Sequence, residues 1–236
     1  MEVYALMLAS ENGHHQKVDD QIKSGADIKY VRQDGNNALM IASQNGHDKV
    51  VDILIIAGAD INYVKQDGYK ALMIASLNGQ DKMNALMIAS QNGHDKVVDI
   101  LIKAGADINH VEDDGWNALM IASLNGHDKV VDILIIAGAD INHVEDDGWN
   151  ALMIASQNGH DKVVDILIKV GADINYVKQN GRNALMIASR NGHDKVVDIL
   201  IKAGADINYV KQDGYKALMI ASLNGQDKMV DILIKA

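Results

Sequence analysis

Apolar residues along the chain fall into two kinds of short run, separated by glycine and polar residues. In the clearest example the first run is Ala-Leu-Met-Ile-Ala at 38–42, and Asn37 directly before it is typical of a helix N-cap. Gly46 ends this predicted helix. A second predicted helix begins at Asp48, where a carboxylate suits the helix dipole, and ends at Gly58. Its apolar residues form a face broad enough to be buried on more than one side: Val50, Val51, Ile53, Leu54 and Ile55.

The same pattern recurs at intervals of 33 residues, and a short hairpin with an Asp-Gly or Asn-Gly turn separates one copy from the next. Residues 57–83 are identical to residues 203–229. Two short helices cannot bury such faces alone, so the units must stack into a solenoid, a single domain over residues 1–236. The predicted repeats are 1–33, 34–66, 67–80, 81–113, 114–146, 147–179, 180–212 and 213–236.

The repeat resembles the ankyrin repeat, through Gly-His before the second helix and Gly-Ala-Asp-Ile-Asn after it. The resemblance implies an all-α repeat solenoid, a stack of helix-turn-helix units with short β-hairpin fingers. One departure is systematic, because the family's Thr-Pro-Leu-His is here Asn-Ala-Leu-Met or Lys-Ala-Leu-Met. Alanine is a better helix former than proline but gives a less rigid start. Methionine at the family's histidine position, as in Met40, Met87 and Met120, offers an adaptable apolar contact.

The third repeat is irregular, since it has 14 residues where the complete repeats have 33. Comparison with the end of the chain places the missing 19 residues between Met83 and Asn84. An unrecorded segment and a true deletion both fit this pattern. In a continuous chain, residues 86–88 fall on the columns of residues 53–55, which predicts a makeshift second helix and leaves the helix from His94 without its usual first helix.

The two ends of the chain differ in polarity. The first repeat has Lys17, Asp20 and Gln21 in columns that are apolar in the second repeat, as expected of a polar capping repeat. The last repeat keeps the apolar residues and stops at Ala236. We therefore expect either a continuation of the chain beyond Ala236 or a partner on this apolar face.

Composition and charge narrow the function. The net charge is 22 − 32 = −10, which disfavours nucleic acid as a partner. The chain has no cysteine, so it has no disulfide and no Cys-ligated zinc. Neither a signal peptide nor an apolar run long enough for membrane insertion is evident. These features favour an intracellular, cytoplasmic location, with secretion into a host cell as an effector left open.

Candidate partner-binding residues are those that vary between otherwise constant repeats. In the family that this chain resembles, the hairpin tips and the exposed side of the first helix line a concave groove that binds partner proteins. Carried over by column, the positions after the hairpin glycine, before Asn-Gly, and within the hairpin predict this set: Tyr69, Trp116, Trp149, Arg182, Tyr215, Leu124, Arg190, His110, Glu112, Asp113, His143, Glu145 and Asp146. The acidic and aromatic middle hairpins would suit a basic segment, by ion pairing and cation–π contact. Alternatively, the aromatic residues pack on neighbouring hairpins and the charges form a solvated rim.

Other chemistry is disfavoured. His110 and His143 lie on hairpin tips with no preorganised metal geometry, and the histidines at 47, 94, 127, 160 and 193 recur at one helix start and are predicted to be structural. The serines are periodic helix residues, and every glycine belongs to a repeat boundary, so neither an activated nucleophile nor a phosphate loop is indicated. We predict no cofactor and no enzymatic activity.

These observations predict a protein-protein interaction module that binds a segment of another protein, with a basic segment favoured. Three alternatives remain open from the sequence: a targeting arm of a larger multidomain protein such as an effector, a self-stacking structural unit, and an artificial repeat scaffold.

Overall fold

A computed structural model describes residues 2–64 and 83–236 of the chain. Within these ranges the chain forms fourteen helices, arranged as consecutive pairs that are joined by a short glycine-containing turn. The helices are α1 Glu2–Glu11, α2 His15–Lys23, α3 Ala38–Gln44, α4 Asp48–Ile56, α5 Ala85–Gln91, α6 Asp95–Lys103, α7 Ala118–Asn125, α8 Asp128–Ile136, α9 Ala151–Asn158, α10 Asp161–Lys169, α11 Ala184–Asn191, α12 Asp194–Lys202, α13 Ala217–Leu223 and α14 Asp227–Lys235. The predicted all-α stack of helix pairs is confirmed.

The first helices α3, α5, α7, α9 and α11 each start at an asparagine side-chain cap, as the sequence predicts. The Oδ1 of Asn37 accepts a hydrogen bond from the backbone N–H of Met40 at 2.9 Å, and Asn150 does the same for Met153. The cap satisfies an amide that has no partner within the helix. In α3, α5, α9 and α11 the six residues that follow the cap are all buried, so these short helices lie wholly inside the stack.

The last pair lacks this cap, because Lys216 stands where α3, α5, α7, α9 and α11 are preceded by asparagine, and it makes no side-chain cap bond. We expect Lys216→Asn to raise the free energy of unfolding by about 1 kcal/mol, since an asparagine cap satisfies a free amide that lysine leaves unsatisfied. Urea unfolding followed by circular dichroism measures the change. Asn150→Ala, which removes an existing cap, should lower the stability by a similar amount. An unchanged midpoint in both variants would contradict the importance of these caps.

The second helix of each pair supplies the centre of the core. In α4 the side chains of Val50, Val51 and Leu54 are buried, and the equivalent residues of α6, α8, α10 and α12 are buried as well. These residues are branched and apolar, and α4, α6, α10 and α12 each pack on the first helix of their own pair and on the second helix of a neighbouring pair. The hairpins between pairs have no extended ladder in the described residues, only isolated bridges at Val31–Asn37, Val111–Asn117 and Val144–Asn150.

The chain divides into two compact units, of which the first comprises Met1–Ile121 and Ile136–Ala139. Here first helices pack on first helices, α1 on α3 and α3 on α5, and second helices pack on second helices, α2 on α4 and α4 on α6. A histidine links each pair to the one before. Nε2 of His47 lies 3.0 Å from the carbonyl oxygen of Glu11, and Nε2 of His94 lies 2.9 Å from that of Gln44. A carbonyl only accepts, so the ring N–H donates.

The structure corrects the prediction of a makeshift second helix at residues 86–88. These residues belong to α5, a first helix with its own cap at Asn84, and α5 pairs with α6. Pair α5–α6 packs directly on pair α3–α4, because the inter-repeat bonds form across the irregular segment: Asn62 Oδ1 accepts from the N–H of Asp107 at 2.8 Å. The predicted truncated repeat, 67–80, lies outside the described residues.

The second unit comprises Ala122–Ile135 and Asp140–Ala236. Its packing repeats that of the first unit, with α9 on α11, α11 on α13, α10 on α12 and α12 on α14. The histidine link recurs between Nε2 of His160 and the oxygen of Leu124 at 2.9 Å, and between His193 and Gln157 at 2.8 Å. Gln226 replaces histidine in the last pair and donates to the oxygen of Arg190 at 3.5 Å. This histidine column is therefore structural, as predicted.

Candidate functional site

The hairpin before α9 holds Trp149 at its tip. Two backbone bonds close the turn: the N–H of Glu145 donates to the oxygen of Trp149 at 3.0 Å, and the N–H of Gly148 donates to the oxygen of Glu145 at 2.9 Å. The carboxylate of Glu145 accepts from the N–H groups of Asp147 at 2.9 Å and Trp149 at 2.7 Å. Glu145 has only 7% of its surface exposed, and its carboxylate stabilises its own turn. Glu145, predicted to bind a partner, thus bonds to its own turn, and the exposed acidic residues at this tip are Asp146 and Asp147.

The hairpin before α7, in the first unit, is built in the same way. Glu112 is buried, and its N–H donates to the oxygen of Trp116 at 2.8 Å. Glu112, also predicted to bind a partner, thus has only a small part of its surface exposed. Asp113 is exposed and Trp116 is half-buried. His110 is half-buried, and its Nε2 is enclosed without a hydrogen-bond partner.

Lys178, on the hairpin that follows Trp149 in the second unit, covers one face of the indole. Its Nζ lies 4.1 Å from the centre of the ring, within cation–π range, and only 8% of the residue is exposed. The lysine stem passes close to Gly148, where an added Cβ would lie 3.2 Å from the Cβ of Lys178. One face of Trp149 thus packs on the neighbouring hairpin, as the alternative interpretation of the aromatic residues predicts. The residue is half-buried and keeps exposed surface.

Two adjoining clefts in the second unit share a pair of arginines, Arg182 and Arg190. The smaller cleft, about 130 Å³, is lined by these arginines together with Trp149, Gln157, Ile187 and Asn191. The larger, about 260 Å³, is lined by the same arginines together with Lys211, Asp213, Tyr215, Ile220, Leu223 and Asn224. Arg182 follows the hairpin glycine and Arg190 lies in the last turn of α11. The fold therefore brings together two variable columns that are separate in the sequence.

Tyr215 closes the far side of the larger cleft with 40% of its surface exposed. Beside it, Nζ of Lys211 lies 2.8 Å from Oδ2 of Asp213. The Lys211 ammonium, which donates this hydrogen bond, holds the pKa of the Asp213 carboxyl below its usual value. At neutral pH the hairpin tip thus carries an ion pair with no net charge, next to the exposed phenol of Tyr215.

Of the predicted site residues, the structure gathers Trp149, Arg182, Arg190 and Tyr215 along the two clefts, which we call the aromatic–arginine strip. Leu124 is exposed and His143 is half-buried, but neither lines these clefts. Tyr69 lies outside the described residues. Further polar residues that were not predicted also line the clefts: Gln157, Asn191, Lys211, Asp213 and Asn224. Lys178, which lies over Trp149, and Asn180, which accepts from the N–H of Arg182, were not predicted either. The clearest signal in the sequence is the change of charge at 178, where lysine stands in the column of Glu112 and Glu145.

Other chemical roles find little support in the part of the chain that the structure describes. The buried serines lie inside first helices, and the hydroxyls of five of them have no hydrogen-bond partner and therefore no activating base: Ser43, Ser90, Ser123, Ser156 and Ser189. No group of three or more histidine or acidic side chains there is arranged to hold a metal ion. None of the described helices has the length and apolar character needed to cross a membrane.

Comparison with protein families agrees with this geometry. The profile of the family described as ankyrin repeats (3 copies) matches residues 6–86, 77–145, 134–211 and 152–236, which together span nearly all of the chain. No curated protein matches closely enough to be reported as a relative.

Proposed function

Since this chain belongs to the ankyrin repeat family, whose members are generally protein–protein interaction modules and typically non-catalytic, we propose that its second unit binds a segment of another protein along the aromatic–arginine strip. The family membership gives the class of function. The choice of surface rests on the arrangement of Trp149, Arg182, Arg190 and Tyr215 along two adjoining clefts.

The chemistry of the strip favours a protein segment over a small molecule. Tryptophan, tyrosine and arginine are the residue types most enriched at the energetic centres of protein interfaces. Pockets for small ligands usually enclose about 300–1,000 Å³, whereas the clefts here hold about 130 and 260 Å³. Each cleft suits one or two side chains of an extended segment. A segment that follows the strip would fill both clefts and contact the aromatic residues at either end.

The acidic residues at one end of the strip can bind a basic residue of the same segment. Asp146 and Asp147 are exposed at the hairpin tip that carries Trp149, whereas Glu145 is occupied by its own turn. A lysine or arginine of the partner would find two carboxylates there without displacing an internal hydrogen bond. We place the interaction inside the cell, in keeping with a chain that has no cysteine.

Removal of the aromatic ends of the strip tests the proposal. We expect Trp149→Ala and Tyr215→Ala each to weaken capture of the partner protein from a cell lysate by about tenfold or more, as is usual for aromatic residues at interface centres. The readout is quantitative mass spectrometry of the proteins retained by immobilised chain. Tyr4→Ala is the matched control, because Tyr4 is an exposed aromatic residue of the first unit. Proteins retained equally by all three folded variants would contradict the proposal.

A further inference from the structure

We infer that the pair Arg182 and Arg190 binds side-chain carboxylates of an acidic stretch in the partner protein. This inference rests on the proposed function and assigns the chemistry of the segment that meets the centre of the strip. The acidic hairpin tip would then bind a basic residue of the segment, and the arginine pair would bind the acidic residues that follow it.

Arginine is rare in this chain, and its distribution is uneven. The sequence has three arginines among its 22 basic residues, and two of the three line the same clefts. The third, Arg32, forms ion pairs with Asp34 at 3.5 Å and with Glu11 at 3.8 Å. Within the described part of the chain, Arg182 and Arg190 have no such ion-pair partner. Two guanidinium groups without an internal counter-ion on one surface are therefore available to an external anion.

A single change in the hairpin turn removes a carboxylate two residues before Arg182. The turn has Asp-Gly at 34, 67, 114, 147 and 213, but Asn180 replaces the aspartate in the repeat that carries both arginines. Asn180 keeps the turn bond, since its Oδ1 accepts from the N–H of Arg182 at 3.2 Å, as Asp213 does for Tyr215 at 3.4 Å. Only the negative charge is lost. In the next repeat that charge pairs with Lys211, whereas here the equivalent Lys178 lies over Trp149.

The electrostatics of the clefts select an anion, although the whole chain is acidic. Among the lining residues three cations, Arg182, Arg190 and Lys211, face one carboxylate, Asp213. The net charge of the chain is −10, so this is a local positive site on an acidic protein. Long-range attraction contributes little to binding, and close, directed hydrogen bonds must hold the anion. The planar guanidinium provides such bonds in pairs to a carboxylate.

Carboxylates fit this position better than phosphate. Phosphate sites commonly add the free N–H groups of a helix N-terminus to their cations. Arg190 lies at the opposite end, in the last turn of α11, where free carbonyl groups prevail. A singly charged carboxylate held by a guanidinium fork does not need those N–H groups.

Fluorescence of Trp149 offers a direct test, because Trp116 is the only other tryptophan of the chain. In a Trp116→Tyr background, Trp149 emission reports on the cleft that it lines with the arginines. We expect a short glutamate-rich peptide to change this emission in a saturable manner, and the same peptide with glutamine for glutamate to bind at least about tenfold more weakly. The full chain is used, at low salt and again at physiological salt, where the affinity should fall.

Variants assign the effect to the arginine pair. Arg182→Asn combined with Arg190→Gln uses residues that the chain itself has in these columns, at Asn36 and Gln157, so folding should persist. We expect this double variant to bind the glutamate-rich peptide at least about tenfold more weakly. Arg32→Gln, which removes the ion-paired arginine of the first unit, should bind it normally. Asn180→Asp restores the missing carboxylate and should weaken binding of the glutamate-rich peptide several-fold.

Three outcomes would overturn the inference: equal binding of the two peptides, equal binding by the double variant, or tighter binding of inorganic phosphate than of the peptide. The two proposals can fail separately. If a protein captured through Trp149 and Tyr215 is held equally well by the double arginine variant, the proposed function stands and the acidic stretch is wrong. If the aromatic variants capture the same proteins as the wild type, the proposed function fails, and the peptide titration still decides the role of the arginines.

Discussion

Leu167→Ala is expected to lower the free energy of unfolding by about 2–5 kcal/mol, the range for a large-to-small change in a core that collapses only partly. Leu167 has no exposed surface and lies in the middle of α10. The first helix of its own pair, α9, and the second helix of the next pair, α12, both pack on α10. In a repeat stack the interface between neighbouring repeats supplies much of the stability, so the cavity weakens that interface as well as the pair itself.

Urea unfolding followed by circular dichroism at 222 nm is the measurement. The matched control is Leu223→Ala, since 70% of Leu223 is exposed. This surface substitution should change the stability by no more than about 0.5 kcal/mol. Equal effects of the two substitutions would show that the apolar column of the second helices is not the core.

Gly159→Ala is expected to lower the free energy of unfolding by about 2–3 kcal/mol, because two costs combine. Gly159 ends α9 with a φ of 73°, a left-handed conformation that costs an L-residue about 1–2 kcal/mol. An added Cβ would also lie 2.6 Å from Nδ1 of His193, so the ring must move. That movement breaks the 2.8 Å bond from the His193 ring to the oxygen of Gln157, which contributes about 1 kcal/mol.

Gly171→Ala separates the two costs. Gly171 has a φ of 99°, but an added Cβ would meet nothing within 4 Å. It should therefore show the backbone cost alone, about 1–2 kcal/mol. Thermal or urea unfolding of both variants gives the difference, which we attribute to the histidine link between neighbouring repeats. If Gly171→Ala is as destabilising as Gly159→Ala, the histidine link adds nothing to the stability of the stack.

The helices and their caps could be predicted from sequence because local physics and the period agree. Asn37 and the apolar run after it define the start of a helix, Gly46 defines its end, and repetition fixes the partner of each face. The helix that contains residues 86–88 was harder to predict. Periodicity alone allowed residues 86–88 to serve as a second helix. The structure instead gives them their own cap at Asn84 and joins the flanking repeats through His94 and Gln44.

The contacts of the charged hairpin residues could not be predicted from the sequence alone. Glu145 and Lys178 occupy the same column and look equally available to a partner. The carboxylate can fold back onto two amides of its own turn, whereas the ammonium has no acceptor there and lies over Trp149. The sequence also singled out Arg182 and Arg190 as variable positions. One lies in a turn and the other in a helix, so only the packed structure shows that they line the same clefts.

Site-specific photo-cross-linking tests the central claim most directly. A photo-reactive residue in place of Gln157 lies in the smaller cleft beside the arginines, and one in place of Lys169 lies at the exposed end of α10, outside both clefts. If the aromatic–arginine strip binds a protein segment, position 157 cross-links to a defined partner and position 169 does not. Cross-linking from position 169 alone, or to the same extent from both positions, would contradict the assignment of this surface.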